Sequence, residues 1–199
     1  MDPEIYFLIK NIHKELRVSE EEFYNIMITD LNRIMVFSYG SNMHSKRLIK
    51  RVPSAKILGI GKSQGFKIEF SKRSKDKSGK ATLIRTTNKS NTIWGTISTI
   101  LKKEKHLLDE VEELGEGYNE EHIHIKTETS EDIYPITYIA EDSYIDKEPM
   151  PYSWYKTLVI EGAKENGLPE KYIEKLELQK AKEDKNIERA KRELKILEE

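Results

Sequence analysis

Six short segments between residues 34 and 140 resemble strands, and several of them alternate apolar and polar residues, which constrains the fold more than any other feature of the chain. A period of two is typical of strands with one buried face. The segments are 34–39, 66–70, 81–86, 92–99, 121–127 and 133–140. Helical patterns lie between or after them, in residues 42–52, 102–114 and 155–177, the last broken by Gly167-Leu-Pro169. The chain is therefore predicted to be α+β, with strands dominating its middle.

Both ends of the chain differ from this middle part. Apolar residues at helical spacing in 3–17, and a Ser19–Glu22 capping-box pattern before a second apolar face, predict an N-terminal helical extension. The last 21 residues are mostly charged, with apolar residues every three or four positions, which predicts a charged helix. We therefore expect an extension over 1–33, a central domain over 34–178 and a charged helical tail over 179–199.

Composition excludes several classes of function. The chain has 35 acidic and 34 basic residues, so no general attraction to nucleic acid is expected. It has no cysteine, which excludes disulfides, thiolate catalysis and cysteine-ligated zinc. The start lacks the pattern of a secretory signal, and no segment has the length and hydropathy to cross a bilayer. We expect a cytoplasmic protein with no membrane partner.

The stretch "VFSYGSNMHSKRL", residues 36–48, runs from a strand through Gly40-Ser41-Asn42 into a helix. In one interpretation Ser41 or Asn42 simply caps the helix. In the other, glycine lets a small molecule approach, and free amides at the start of the helix attract an anion. The stretch taken alone favours the cap.

The stretch "LLDEVEELGEGY", residues 107–118, gathers five carboxylates where a helix should end at Gly115. One interpretation is a solvated helix end. Carboxylates are unfavourable there, however, because the dipole is negative at that end. A carboxylate turned inward at such a position would bind protons more readily, which suits a general acid/base.

Two further patterns are candidate sites. His122 and His124 alternate along a predicted strand and could begin a metal site, but a solvated strand face is favoured and no metal is predicted. The basic segment 71–80, "SKRSKDKSGK", could contact phosphates. We interpret it as a solvated hairpin loop, because it has no aromatic residues for stacking on bases.

Four segments, in order, resemble the γ-glutamylcyclotransferase family, which includes γ-glutamylamine cyclotransferase-like and AIG2-like proteins. They are "FSYGSNM" (37–43), "VPSAKILGIGKSQGFKIEF" (52–70), "IWGTIST…LLDEVE" (93–112) and "YKTLVIEGAKENGLPEKYIEKL" (155–176). The resemblance covers about residues 34–178. It implies a small mixed β-barrel flanked by helices, with a cavity at one mouth.

The resemblance also implies an activity. Members of this family cyclise a γ-glutamyl group to 5-oxoproline and release the γ-linked amine or amino acid, without a metal or other cofactor. A small γ-glutamyl compound is the implied partner, within glutathione metabolism, and homo-oligomerisation is left open. A second hypothesis keeps the fold but makes the protein a binding or regulatory module that uses its added helices.

Site residues follow from the matching positions. The Leu-Asp-x-x-Glu spacing implies that Glu112 is the catalytic general acid/base, with Glu113 and Glu116 as alternative registers. The glycine loop implies substrate binding, largely through backbone amides, by Tyr39, Gly40, Ser41, Asn42 and Met43. Tyr118 and Tyr155 fall near aromatic positions of the family pattern and are candidates for lining the cavity, although a structural role is equally compatible with each.

Overall fold

The computed structural model describes residues 32–198, and the predicted N-terminal helices lie outside the described residues. Within this range seven strands form one mixed sheet in the order β6-β9-β1-β5-β2-β7-β8. Only the β1–β9 pair is parallel among these described strands. The strands are β1 (Arg33–Ser38), β2 (Lys56–Gln64), β5 (Thr92–Leu101), β6 (Tyr118–His122), β7 (Ile125–Thr127), β8 (Asp132–Ile133) and β9 (Ile136–Ala140).

Among residues 32–198, two more strands form a separate antiparallel hairpin, and five helices flank the sheet. The hairpin strands are β3 (Phe66–Arg73) and β4 (Gly79–Arg85). The helices are α1 (Ser45–Arg51), α2 (Lys105–Val111), α3 (Ser153–Glu165), α4 (Glu170–Glu177) and α5 (Ile187–Leu194). The seven-stranded sheet curls into a half-barrel, which confirms the predicted α+β class with a mixed barrel-like sheet flanked by helices.

Several strand boundaries differ from the alternation pattern. The predicted strand 121–127 is two strands, β6 and β7, and the predicted strand 133–140 is β8 and β9. Pro135, which has no N–H to donate, lies in the second break, and its carbonyl accepts from Ile123 N in the first. The alternation pattern did not predict strand β2, because Gly59 and Gly61 interrupt its apolar residues. Gly61 is needed there, since a Cβ would lie 2.5 Å from Ile125 Cγ2.

The β3–β4 hairpin is fixed across the sheet by two buried hydrogen bonds. Tyr118 Oη on β6 donates to the Ala81 carbonyl at 2.8 Å. The Ala140 N–H on β9 donates to Thr82 Oγ1 at 2.9 Å, and Thr82 is fully buried. The hairpin thereby becomes a wall beside the C-terminal end of β1.

Helix α3 packs directly on the turn that follows β1, and Gly162 makes this approach feasible. A Cβ at Gly162 would lie 2.5 Å from His44 N and 2.8 Å from the Met43 carbonyl carbon. On the next turn, Asn166 Nδ2 donates to the Met43 carbonyl at 2.8 Å. The turn is thus held against α3 by backbone contact and by a side-chain amide.

We predict that Gly162→Ala lowers the free energy of unfolding by about 1–3 kcal/mol, because the new methyl group forces the α3 backbone away from the turn. Urea unfolding followed by circular dichroism measures the change. Glu161→Ala, at a partly exposed position of the same helix, is the control and should stay within about 0.5 kcal/mol of the parent. Equal stability of Gly162→Ala and the parent would contradict the described contact.

The charged tail packs back onto the body, and within the predicted helical tail 179–199 the helix α5 begins only at Ile187, while residues 179–186 are not helical. Asp184, just before α5, receives two hydrogen bonds from Arg189, at 2.6 and 2.7 Å, and one from Trp154 Nε1 at 2.9 Å. Ile196, after α5, is buried in the core. Hydrogen bonding by Arg189 holds the pKa of Asp184 well below its ordinary value.

This pKa decrease predicts an acid-dependent loss of stability. Because the folded pKa of Asp184 lies below the unfolded one, its contribution is present above about pH 4 and is lost as the pH falls below that value. We expect the Tm of the parent to fall more between pH 5 and pH 3 than the Tm of Asp184→Asn, as measured by circular dichroism. Glu188→Gln, an exposed substitution in α5, should behave like the parent. A parallel fall in all three proteins would exclude this role of Asp184.

No helix among residues 32–198 combines the length and the apolar character that crossing a lipid bilayer requires.

Candidate active site

A cavity opens where the turn after β1, the C-terminal end of α2, the β3–β4 hairpin and α3 meet. Its volume is about 190 Å³, and about 820 Å³ when the open mouth is included. The cavity is therefore open to solvent and has room for a small ligand.

The turn after β1 forms one wall of the cavity. Ser41–Met43 make a single 3₁₀ turn, closed by a hydrogen bond from Met43 N to the Gly40 carbonyl at 3.0 Å. Within residues 32–198, the N–H groups of Gly40, Ser41 and Asn42 have no hydrogen-bond acceptor. Three successive cavity residues therefore have amide donors available to an anionic or carbonyl oxygen of a ligand.

Glu112 lies opposite this turn, at the C-cap of α2. Its side chain is 18% exposed and lines the cavity. Asn42 Nδ2 donates to Glu112 Oε1 at 2.7 Å. The position at a helix C-terminus, the partial burial and the single defined hydrogen bond place a carboxylate where it can exchange a proton with a bound ligand.

Arg51, from the last turn of α1, binds the other side of the Asn42 carboxamide. Its Nη1 donates to Asn42 Oδ1 at 2.5 Å and lies 3.6 Å from Glu112 Oε1. Burial, assisted by the neighbouring Arg47, lowers the pKa of Arg51 to about 10, although Glu112 acts in the opposite direction. Arg51 thus remains a cation near neutral pH and fixes which end of Asn42 faces Glu112.

Three tyrosine hydroxyls surround Ala81 and the turn. Tyr155 Oη accepts from Ala81 N at 3.1 Å, and a Cβ at Gly40 would lie 3.3 Å from the same hydroxyl. Tyr118 donates to the Ala81 carbonyl, and Tyr39 donates to the Tyr138 carbonyl. Burial raises the pKa of Tyr39, Tyr118 and Tyr155, so all three remain neutral hydroxyls. The Tyr155 proton has no acceptor within the described residues, which leaves a hydroxyl donor for a ligand.

Similar proteins share this architecture. Residues 92–176 match the AIG2-like family. A human protein named gamma-glutamylcyclotransferase is 31% identical over 153 residues, which is 74% of this chain and 79% of the relative. A mouse protein of the same name is 32% identical over 148 residues, which is 71% of this chain and 76% of the relative.

The chain belongs to the γ-glutamylcyclotransferase family. A solved structure named gamma-glutamyl cyclotransferase covers 80% of this chain and 99% of its own, with 28% identity and a TM-score of 0.69. The chain is accordingly an enzyme of the γ-glutamylcyclotransferase kind, which confirms the predicted family and enzyme class.

Within this family fold, most of the predicted site residues lie together. The cavity is lined by Tyr39, Gly40, Ser41, Asn42, Glu112, Tyr118 and Tyr155. Met43 differs from the expectation that the whole loop contacts the substrate. Its side chain is fully buried in the core, its N–H is bound to Gly40, and its carbonyl is bound to Asn166. Met43 therefore anchors the turn and does not line the cavity.

The two alternative carboxylates have other partners. Glu113 also lines the cavity, but it pairs with Lys72 at 2.8 Å and with Lys75 at 2.9 Å. Although burial acts in the opposite direction, these lysines lower the pKa of Glu113. The Glu116 side chain is 75% exposed and is not part of the lining.

The two histidines weighed as metal ligands bind separate partners. His122 Nδ1 contacts the Tyr134 carbonyl, and His124 Nε2 contacts Asp132 Oδ1 at 2.6 Å. Residues 32–198 contain no group of three or more His, Cys, Asp or Glu side chains arranged to hold a metal ion.

The cavity is also lined by four basic residues that the sequence patterns did not predict, namely Arg47, Arg51, Lys72 and Lys80. Spacing could have indicated the arginines, since positions 47 and 51 lie one helical turn apart directly after the glycine loop. The lysines come from the segment interpreted as a solvated hairpin loop, and that interpretation is wrong for part of it. Lys72 is 2% exposed and Ser78 is fully buried, because the hairpin strands extend into the segment.

Glu113 has a backbone that normally favours glycine, with φ of +52°. Such a conformation costs a residue with a Cβ about 1 kcal/mol or more. The ion pair of Glu113 with Lys72 compensates this backbone cost. The Lys72 side chain is 3% exposed, and its ammonium lies 4.9 Å from the Tyr118 ring centroid. Gly117 leaves room for this ammonium, since a Cβ there would lie 2.9 Å from Lys72 Nζ.

We predict that Glu113→Gly lowers the free energy of unfolding by about 1–2 kcal/mol despite relieving the backbone, because a buried lysine loses its partner. The double variant Glu113→Gly, Lys72→Met should lose less than the sum of the two single changes, as measured by urea unfolding. Lys75→Met, which removes an exposed partner of Glu113, is the control and should change little. Additive losses would show that Lys72 does not compensate the strained position.

Proposed function

We propose that this enzyme converts a γ-glutamyl amide into 5-oxoproline and releases the γ-linked amine, with Glu112 as general acid/base. The observation that supports this assignment is the pairing of Glu112 with Asn42 inside the cavity. Because Oε1 accepts from Asn42 at 2.7 Å, the second carboxylate oxygen can receive a proton from the substrate.

The proposed reaction is an intramolecular aminolysis. Glu112 takes a proton from the substrate α-ammonium, and the free amine attacks the γ-carbonyl carbon to close a five-membered ring. The bond from that carbon to the γ-linked nitrogen then breaks. Two protons leave the α-nitrogen and two arrive on the departing nitrogen, carried in succession by Glu112, so the product is a lactam and an ammonium ion. Glu112 returns to its ionised state.

Donors around the cavity support the charge that develops on the γ-carbonyl oxygen or the substrate carboxylate. The N–H groups of Gly40, Ser41 and Asn42 and the hydroxyl of Tyr155 have no acceptor within residues 32–198. Donors that are already oriented stabilise a transition state without reorganisation. The confined cavity also favours the folded-back substrate conformer that ring closure needs.

Glu112 is preferred over its neighbours on physical grounds. Glu113 is ion-paired with two lysines that favour its ionised form, which disfavours taking up a proton. Glu116 lies in solvent. Glu112 combines a cavity position with a hydrogen bond from a neutral amide. The cytoplasmic location and the place in glutathione metabolism stay predictions from the sequence and the resemblance.

We predict that Glu112→Gln lowers kcat for 5-oxoproline formation by about 10²–10⁴-fold, because an amide cannot exchange the proton. The assay supplies a panel of γ-glutamyl amino acids and γ-glutamylamines to the purified protein and quantifies 5-oxoproline by chromatography. Glu110→Gln, an exposed position two residues earlier on α2, is the matched control and should retain parental activity.

Turnover by Glu112→Gln equal to that of the parent, with the fold intact by circular dichroism, would remove Glu112 from the acid/base role. Absence of 5-oxoproline from every substrate with the parent protein would reject the proposed reaction itself.

A further inference from the structure

The basic residues of the cavity fall into two classes by the position of their acidic partners. Arg51 and Lys72 pair with Glu112 and Glu113, which also line the cavity. Arg47 and Lys80 pair instead with Glu193 at 2.9 Å and Asp76 at 2.7 Å, and neither acid belongs to the lining. The wall formed by Arg47 and Lys80 therefore presents positive charge to a ligand, while the neutralising acids lie away from the cavity surface.

Lys80 is held rigidly on this wall. Its side chain is only 16% exposed, and its ammonium lies 4.7 Å from the ring centroids of both Trp154 and Tyr155. Asp76 accepts one of its three ammonium hydrogens. The other two have no acceptor within residues 32–198. Burial lowers the pKa of Lys80, and Arg47 acts in the same direction while Asp76 opposes both.

Arg47 adds donors to the same wall. Its Nε donates to Ser41 Oγ at 3.2 Å and its Nη1 to Glu193 at 2.9 Å, which leaves other guanidinium hydrogens without an acceptor among the described residues. Two like charges placed together in a partly buried wall repel each other. An anionic group of a ligand would relieve this repulsion and accept the unused hydrogens.

Tyr155 lies between this wall and the part of the cavity where the proposed reaction takes place. Its hydroxyl lies beside Gly40, where the proposed γ-glutamyl group binds, and its ring lies against Lys80. A substrate held at Gly40–Asn42 that extends along Tyr155 would bring its γ-linked part toward Lys80. In the proposed reaction, Glu112 already binds the α-ammonium of the γ-glutamyl part, and the turn amides bind its carboxylate or its γ-carbonyl oxygen.

We propose that Lys80, assisted by Arg47, is a specificity-determining residue that binds a carboxylate on the γ-linked leaving group. This inference rests on the proposed function. It assigns selectivity between acid-bearing and uncharged leaving groups to a lysine in the segment that the sequence presents as a solvated loop. A leaving group with a carboxylate α to the departing nitrogen places an anion within the cavity, whereas a simple alkylamine does not.

A matched substrate pair tests the proposal. γ-Glutamyl-alanine and γ-glutamylethylamine differ only in the carboxylate of the leaving group. We expect the parent to favour γ-glutamyl-alanine in kcat/KM by about tenfold or more, since a charge-assisted hydrogen bond contributes an effect of about that size. In Lys80→Met, which keeps the stem against the aromatic rings, the ratio of the two kcat/KM values should fall at least about fivefold toward one.

Three further variants make the result specific. Lys80→Arg keeps the charge and should preserve a preference for γ-glutamyl-alanine. Lys80→Gln repeats the loss of charge with a polar side chain, in case Lys80→Met does not fold by circular dichroism. Lys62→Met is the matched control, because Lys62 also lies over an aromatic ring, 5.3 Å from the Trp94 centroid, but outside the lining. This control should keep the parental ratio.

The outcomes separate this inference from the function on which it rests. If the parent converts both substrates with equal kcat/KM, or if the Lys80 variants lower both values by the same factor, the inference is overturned while the cyclisation stands. If the parent forms 5-oxoproline from neither substrate, nor from the wider panel, both fail. A ratio that falls in Lys80→Met and Lys80→Gln but not in Lys62→Met supports the inference.

Discussion

The hydrogen bond from Asn42 to Glu112 joins two segments that are 70 residues apart, and the candidate site depends on it. Each partner is fixed by separate contacts. The turn containing Asn42 is pressed against α3 at Gly162, and Arg51 determines which end of its carboxamide faces Glu112. Glu112 ends α2, whose last turn is closed by the left-handed Glu113. The carboxylate is therefore oriented before any substrate binds, as the proposed catalytic role of Glu112 requires.

The charges around Glu112 and Glu113 differ, so these two adjacent glutamates differ in their capacity to take up a proton. Glu112 accepts a hydrogen bond from a neutral amide and has a cation only at 3.6 Å, whereas Glu113 is held by two lysines at 2.8 and 2.9 Å. The same principle separates the cations of the cavity. Lys72 has its acid beside it in the lining, while Lys80 has its acid outside the lining and keeps ammonium hydrogens that have no acceptor among residues 32–198. Partners, rather than residue types, decide which groups remain available to a ligand.

Local patterns predicted much of the architecture. Gly167-Leu-Pro169 marked the boundary between α3, which ends at Glu165, and α4, which begins at Glu170. The pattern of strand-forming residues located β1, β3, β4 and β5. It failed for β2, where glycine is required by close approach to Ile125 rather than by strand propensity. Local patterns also did not predict that Lys72 is buried. Its burial depends on Glu113 and Tyr118, which lie far away in the sequence.

The sequence by itself determined most of the strands and helices, the glycine turn before α1 and the family to which the chain is similar, because these depend on neighbouring residues and on linear motifs. Only the tertiary structure decided that Met43 turns into the core, that Asn42 meets Glu112, and that Lys72 and Lys80 line the cavity. The reason is physical. Periodicity reports which face of an element is buried, whereas a site depends on which distant side chains meet there, and those contacts are fixed only when the sheet curls and the helices pack against it.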